Sequence, residues 1–321
     1  MQRGLDSSPT GGVRLLSPAT VDLLLLILLG ALWGSAYPVI RAGIVAGAPP
    51  LLFAASRYGL TALILAPIAL LTGARRPTRA QLGPVALYGG LLIVGLYGTF
   101  LYVGEESTSG GLAAVLTASV ALWSALIGYQ LLPRERFTAA EVLGLLVGFG
   151  GVGVLVIPEL GAGQRSTLVG SMLVLVAVVA FAAGGVLLRR SAPGDPSLWT
   201  LTVQFAVAGA LTGVVGLGLG EPLSMGITSI TLPALAYLIV APSILGYTIY
   251  FGLHHRVGPS RANLVGYIGP VAGVLVGLLV FGEQVGAVEV GGMGLIVAGL
   301  VLVQRGRRVP SSAAPASPGR A

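Results

Sequence analysis

The chain has 321 residues, of which 55% are hydrophobic and only 9% are charged. A water-soluble domain of this size needs more polar residues to cover its surface, so the composition excludes a soluble globular protein and indicates an integral membrane protein. The net charge of +7 is the excess of 18 arginines, with no lysine, over 11 acidic residues. The absence of cysteine excludes disulfides, thiolate metal sites and thiol catalysis.

Ten apolar segments are each long enough to cross a hydrocarbon core of roughly 30 Å as a helix of about 20 residues. In chain order they cover residues 20–42, 49–73, 81–103, 108–132, 139–158, 166–188, 197–220, 231–253, 259–281 and 286–304. Because only internally hydrogen-bonded backbone is stable in lipid, we predict an all-α protein with ten transmembrane helices. Residues 1–19 and 305–321 are predicted to be flexible tails, and the first apolar run to be a retained span rather than a cleaved signal.

The second half of the chain repeats many glycines and several charged residues of the first half at an offset of 148 residues. Rare charged residues carry the match, because Glu135 and Glu141 recur as Glu283 and Glu289. The same shift aligns Arg41/Arg189, Gly98/Gly246, Tyr102/Tyr250, Gly104/Gly252, Gly110/Gly258, Ala114/Ala262, Gly144/Gly292 and Gly151/Gly299. Five spans per half is an odd number, so the second half enters the bilayer in the opposite sense. The sequence therefore predicts two inverted five-helix repeats, at 20–158 and 166–304.

Arginine placement predicts the orientation. With the N-terminus in the cytoplasm, most of the 18 arginines fall in cytoplasmic segments, for example Arg75 and Arg76 after the second span. The positive-inside rule then places both termini in the cytoplasm. The positive charge is explained by topology, so we expect a lipid bilayer around the protein and no nucleic-acid partner.

Two parts of the sequence carry a family resemblance. The first span contains Ala31-Leu-Trp-Gly-Ser-Ala-Tyr-Pro38. A small residue, an apolar helix, a glutamate at the helix end and a glycine-spaced next helix then occur twice, at Gly110, Glu135, Gly144 and Gly151 and at Gly258, Ala262, Pro270, Glu283, Gly292 and Gly299. In these features the chain resembles the EamA-type members of the drug/metabolite transporter superfamily over nearly its whole length. The chain departs from the family at one position. Leu122 corresponds to Pro270 in the repeat, so the fourth span lacks the proline that would kink it.

The resemblance implies that the first, third, fourth, sixth, eighth and ninth helices line a central cavity, whereas the fifth and tenth pack outside it. The residues of the two outer spans agree with this role. Their glycines recur at helical intervals, at Gly144, Gly148, Gly151, Gly292 and Gly299. Small residues at such intervals let helices approach closely in lipid, so both spans are predicted to be scaffold.

Polar and aromatic side chains deep within the cavity spans are the candidate substrate contacts. Besides one arginine, they are Trp33, Tyr37, Tyr97, Ser119, Trp123, Tyr247 and Tyr267. Trp33 and Tyr37 are four residues apart, which places them on one helix face, and Ser119 and Trp123 share a face for the same reason. The alternative is that each aromatic ring packs against neighbouring helices with its polar group bonded to backbone.

Arg57 is a charge within the second span, roughly 12 Å along it at 1.5 Å per residue. A charge at this depth must be paired, snorkelling or facing water. As a functional residue it would be the counter-ion of an anionic substrate group. As a structural residue it would pair with Glu105 or Glu106, or extend to the membrane surface.

The remaining motifs predict no further site. Glu141 and Glu289 lie just inside helix starts, where they stabilise the helix dipole. The pair His254-His255 has no nearby Cys, Asp or Glu, so we expect no metal. The run 148–153 has the glycine spacing of a dinucleotide motif but lies inside an apolar helix, so we expect no nucleotide cofactor. No carboxylate lies at mid-membrane in the predicted spans, which argues against a proton relay.

These features predict a transporter of small metabolites that works by alternating access. The family resemblance implies export across a bacterial inner membrane. Stacking faces and single hydroxyl donors favour amino acids, aromatic ones above all, as substrates. Alternatives within the superfamily are efflux of drug cations and carriage of nucleosides or nucleotide sugars. An intramembrane enzyme or receptor is the other class, but no nucleophile–base pair is present, so we expect no catalytic residues. The sequence does not decide between a monomer and a dimer.

Overall fold

The structure is a computed structural model that describes residues 17–131, 138–161, 165–192, 197–224, 226–257 and 265–307. Over these residues it contains helices and loops but no strand. Eight helices are long and apolar enough to cross a membrane, and two shorter apolar helices complete a set of ten. The all-α fold with ten helices is therefore confirmed, whereas most of the predicted tails, Glu135 and residues 258–264 lie outside the described residues.

The helices follow the predicted spans closely. They are α1 (Pro18–Gly34 and Ala36–Val45), α2 (Pro50–Leu71), α3 (Arg79–Pro84, Val85–Leu96 and Tyr97–Gly104), α4 (Gly110–Thr117 and Val120–Leu131), α5 (Ala139–Gly161), α6 (Arg165–Ser191), α7 (Leu198–Gly218), α8 (Thr231–Leu238, Ile239–Leu245 and Gly246–Val257), α9 (Val265–Phe281) and α10 (Ala287–Arg307). Because ten crossings separate the two, α1 begins and α10 ends on the same side, which we call the terminal side. The opposite side is the distal side.

Helix pairings recur in the way that two repeats related by a twofold axis require. Helix α1 packs on α9 as its mate α6 packs on α4, and α3 packs on α6 as α8 packs on α1. Two further pairs, α2 with α7 and α5 with α10, join each helix to its own mate. This pattern is typical of inverted-repeat carriers, whose two halves enclose a site near the midplane.

Glycines hold α5 and α10 in close contact. A Cβ atom at Gly144 would lie 2.7 Å from the Gly299 carbonyl oxygen, and one at Gly151 would lie 2.8 Å from the Gly292 oxygen. At these positions the backbone of one helix occupies the space of the other's missing side chain. The close packing predicted for the two helices is confirmed.

We therefore expect Gly299→Val to lower thermal stability in detergent, because its side chain would meet the Gly144 oxygen and Gly148 nitrogen at 2.5 Å. Overpacking of this kind costs about 1–3 kcal/mol or more. Gly150 on α5 has open space around it, so Gly150→Val is the matched control and should melt near the wild type. Equal melting temperatures for the two variants would contradict the packing.

Two helices contain π-helical segments at corresponding places in the two halves. Val85–Leu96 of α3 and Ile239–Leu245 of α8 both have this geometry, and α3 and α8 are mates. In α8 the cause is visible: Pro242 has no N–H to donate, and the Ser243 hydroxyl donates to the Leu238 oxygen at 2.8 Å instead. Such segments turn backbone and side-chain groups out of the helix and are frequent at functional sites.

The kinks of α4 and α9 differ from the prediction. Although Pro270 lies inside α9, that helix is continuous, whereas α4 is interrupted between Thr117 and Val120 despite having Leu122 in place of proline. The interruption is stabilised by Ser119, whose hydroxyl donates to the Leu116 oxygen at 2.7 Å. A serine that bonds back to its own helix bends it without proline.

Carboxylates cap helix starts, as expected for Glu141 and Glu289. Glu141 accepts from the Thr138 N–H at 2.8 Å, and Glu289 accepts from the Gly286 N–H at 2.8 Å. Both helix-terminal assignments are confirmed. Glu283, which follows the end of α9, has a different role, because it accepts hydrogen bonds from the start of α4 in the other half of the chain.

Candidate functional site

Arg57 lies on α2 and is held by two neutral hydroxyl groups. Its Nε donates to Ser243 Oγ at 3.2 Å and its Nη1 donates to the Tyr102 hydroxyl at 3.2 Å, while its Cζ lies 5.4 Å from the Tyr58 ring centroid. Among the described residues no carboxylate forms an ion pair with it. The predicted pair with Glu105 or Glu106 is therefore wrong. The guanidinium keeps donors and a full charge for another anion.

The π-helical segment of α8 supplies two of the groups around this arginine. It directs the Ser243 hydroxyl at Arg57, and it leaves the Pro242 carbonyl free to accept from Trp33 Nε1 at 3.1 Å. In a regular helix that carbonyl would accept from an N–H of the same helix. The π-helical geometry of α8 instead lets one short segment bond to both Trp33 of α1 and Arg57 of α2.

Tyrosine hydroxyls form a second part of the same region. The hydroxyls of Tyr37 on α1 and Tyr97 on α3 are 3.0 Å apart, and the Tyr97 ring meets Phe181 of α6 edge-on with centroids 5.3 Å apart. Tyr37 and Tyr247 are both close enough to Arg57 to interact with it electrostatically. The rings thus surround a positive charge with hydroxyl groups.

Trp33 extends this region toward the terminal side. Its ring centroid lies 5.4 Å from that of Tyr247 and 5.1 Å from that of Tyr250, both on α8. Tyr247 in turn meets Phe205 of α7 edge-on at 5.7 Å. Between Trp33 and Tyr37, α1 is interrupted at Ser35, whose hydroxyl lies 2.6 Å from the Tyr237 hydroxyl. The two α1 rings consequently contact different helices, although their spacing predicted one shared face.

A cavity of about 320 Å³ lies on the terminal side of the helices. Tyr250, which packs against Trp33, lines it, and so does Gln204 of α7. Its mouth carries three arginines, Arg75, Arg76 and Arg189. A recess lined by one sign of charge raises the local concentration of counter-ions, so this entrance favours anionic groups.

The structure therefore brings Trp33, Tyr37, Arg57, Tyr97 and Tyr247 together and leaves three predicted residues elsewhere. The Ser119 hydroxyl bonds to its own helix and is fully buried. Trp123 packs edge-on against Phe149 of α5 at 4.9 Å, on the scaffold side. Tyr267 of α9 packs against the main hydrophobic core. No described contact joins these three to Arg57.

Sequence reasoning missed Tyr58, Tyr102 and Ser243. Tyr102 was visible only as a repeat position, matched to Tyr250. Tyr58 adjoins Arg57 in the chain, but adjacency does not show that its ring lies under the guanidinium. Ser243 lies 186 residues from its arginine partner, and nothing in its local sequence indicates that contact.

Comparisons with known proteins agree with this architecture. The family model of the EamA-like transporter family matches residues 21–157 and again residues 168–305. The "Uncharacterized inner membrane transporter YedA" of Escherichia coli K12 is 29% identical over 289 residues, covering 88% of this chain and 92% of the relative. A "Probable amino-acid metabolite efflux pump" of Salmonella typhimurium is 26% identical over 302 residues, covering 91% and 97%. A solved crystal structure shares the fold with a TM-score of 0.61 and 21% identity, covering 91% of this chain and 99% of that one.

Proposed function

The chain belongs to the EamA-like transporter family, and on that premise we propose that it exports small carboxylate-bearing metabolites, aromatic amino acids foremost. It is a multi-span membrane protein, and its relatives include named inner membrane transporters. Transport follows alternating access, with the two repeats moving around a site between α1, α2, α3 and α8.

One observation supports the substrate class above the others. Arg57 is a partly buried cation whose described partners are neutral hydroxyls, Tyr102 and Ser243. A charge in this position is costly unless an anion approaches it, and a substrate carboxylate supplies one. The surrounding rings of Trp33 and Tyr247 offer stacking faces for an aromatic side chain. The name of the Salmonella typhimurium relative points to the same class.

Efflux of drug cations is disfavoured by charge. A cationic substrate would meet the arginines at the cavity mouth and then Arg57 itself, and like charges repel in a low-dielectric site. Nucleosides and nucleotide sugars remain the second candidates, because rings stack on aromatic faces and phosphates would attract the same arginines. Export rather than uptake agrees with a cavity that opens on the terminal side, which we predict to be cytoplasmic.

Purified protein in liposomes tests the substrate. We expect labelled phenylalanine to cross faster than threonine, and a nucleoside or ethidium to cross slowly. The matched comparison is phenylethylamine, which keeps the ring and amine of phenylalanine but lacks the carboxylate that Arg57 would bind. Movement of ethidium alone would refute the amino-acid assignment, and equal rates for phenylalanine and phenylethylamine would refute the role of the carboxylate.

The orientation has its own test. Reporter fusions that become active only after export should be silent when placed after Arg305, because the positive-inside rule puts this end in the cytoplasm. The same reporter inserted after Glu106, on the distal side, should be active. Strong activity at the C-terminus would reverse the predicted topology.

A further inference from the structure

Glu105 is a buried carboxyl group without a well-placed hydrogen-bond donor. It follows the last residue of α3 on the distal side, and its exposed fraction is 0%. Neither carboxyl oxygen has a donor in good hydrogen-bonding geometry among the described residues. Its backbone oxygen does have a partner, since Arg41 Nη1 donates to it. An ionised carboxylate in this position would lose its hydration without gaining well-placed hydrogen-bond donors, so the ionised form is strongly disfavoured.

The charged groups around Glu105 come from three other elements. Glu283 faces it from the end of α9, Arg41 from α1 and Arg57 from α2. Burial raises the pKa of the Glu105 carboxyl well above its usual range, and the Glu283 carboxylate raises it further. The charges of Arg41 and Arg57 and a weak contact with the Arg41 backbone lower it by less. Neither arginine is within ion-pair distance. Tyr37, Tyr58 and Tyr102 also lie near enough to interact with it.

The burial of Glu105 accompanies closure of the distal side. Glu283 accepts from the N–H groups of Gly110 at 2.9 Å and Gly111 at 2.7 Å, which ties the second half of the chain to the start of α4. Glu221 similarly accepts from the first N–H groups of α2, at 3.0 and 2.8 Å. Two carboxylates of one repeat thus cap two helices of the other on this side, while a cavity enters from the terminal side.

We propose that Glu105 is a proton-binding site of the transport cycle, neutral when the distal side is closed and ionised when that side opens. Opening separates Glu283 from α4 and admits water to the carboxyl group, which then releases its proton to the distal solution. Closure requires the reverse step, uptake of one proton from the same solution. This proposal rests on the proposed function, because only a carrier that alternates between two open states has a distal gate for the proton to control.

The direction of the pH effect follows from linkage. The closed state binds one proton more than the open state at any pH between the ordinary value of a glutamate, about 4.5, and the raised value. Lowering the distal pH by one unit within this window therefore multiplies the closed-to-open ratio by up to about tenfold. Above the raised value Glu105 is ionised in both states, and the ratio no longer depends on it.

Infrared spectroscopy tests the protonation directly and needs no substrate. The wild type in lipid nanodiscs at neutral pH should show the C=O stretch of a neutral carboxyl group. Glu105→Gln, which has nearly the same shape, should lack that band, whereas Glu106→Gln should keep it because Glu106 is exposed. An unchanged band in Glu105→Gln, or no such band in the wild type, would overturn the proposal.

A distance measurement tests the link to closure. Because the chain contains no cysteine, spin labels on Ser107→Cys and Gln284→Cys report only the separation of the two halves on the distal side. The short-distance population should grow as the pH falls, and with Glu105→Gln added it should dominate at every pH. Glu106→Gln should follow the parent. A distance that ignores pH in the parent, or pH dependence that survives in Glu105→Gln, would refute the proposal even if the protein carries another substrate.

Discussion

Replacing Arg57 by alanine is expected to abolish most transport of phenylalanine. Removing one partner of a buried charge contact costs about 2–5 kcal/mol, and each 1.4 kcal/mol is a factor of about ten, so the loss should be roughly 30-fold or more. The reason is that the substrate carboxylate would enter a site whose remaining groups, the hydroxyls of Tyr102 and Ser243, are neutral. The measurement is initial uptake into proteoliposomes over a range of concentrations.

Two comparisons separate binding from packing at this position. Phenylethylamine should not move more slowly in Arg57→Ala than in the wild type, because it has no carboxylate to lose and the variant removes a charge that repels its ammonium group. Arg57→Lys keeps the charge but not the planar fork that reaches Tyr102 and Ser243 together, so it should restore transport only in part. If Arg57→Ala lowers melting temperature and transport together and leaves the preference for phenylalanine intact, the arginine is structural.

The helices were predictable because the bilayer restricts the choices. Backbone in lipid must bond to itself, so an apolar run of sufficient length has one solution, and ten runs gave ten helices. The close packing of α5 and α10 was also predictable, because glycines at helical intervals, such as Gly144 and Gly299, let helices approach closely in lipid. That the two helices pack on each other was not predicted. Helix formation in lipid and close packing at glycines depend on residues that are neighbours in the chain, so the sequence predicts them.

The interruptions of the helices were not predictable in the same way. The π-helical segments of α3 and α8 are as apolar as regular helix, and the i, i+4 rule assumes a regular helix throughout. It failed for Ser119, where α4 is interrupted and the hydroxyl returns to Leu116. It failed for Trp33 and Tyr37 because α1 is interrupted at Ser35 between them.

The partners of Arg57 illustrate the other limit. The sequence showed a charge inside a span and two acidic residues near the same side, and proximity suggested an ion pair. In the structure, Arg57 instead contacts Ser243, which the α8 irregularity directs toward it. Glu105 stays unpaired. Contacts between helices far apart in the chain depend on packing, which periodicity does not determine.

Trp123→Ala should lower the stability of the protein and its transport together. The Trp123 ring packs edge-on against Phe149 of the scaffold helix α5, with centroids 4.9 Å apart, so its removal opens a cavity. Truncations of this size cost about 3–5 kcal/mol. By contrast, Tyr37→Phe removes only the hydroxyl that lies 3.0 Å from the Tyr97 hydroxyl, worth about 0.5–1.5 kcal/mol, and should reduce transport with little change in melting temperature.

Trp123→Phe is the matched control for the packing role. The Trp123 Nε1 is buried and has no hydrogen-bond partner among the described residues, so phenylalanine keeps an aromatic ring against Phe149 and removes an unsatisfied donor. This variant should melt close to the wild type and transport phenylalanine at a similar rate. Thermal unfolding in detergent and flux in liposomes, measured on all three variants, decide the matter. If Trp123→Ala melts like the wild type yet loses flux, or if Trp123→Phe is stable but inactive, the indole contacts the substrate and belongs to the binding site.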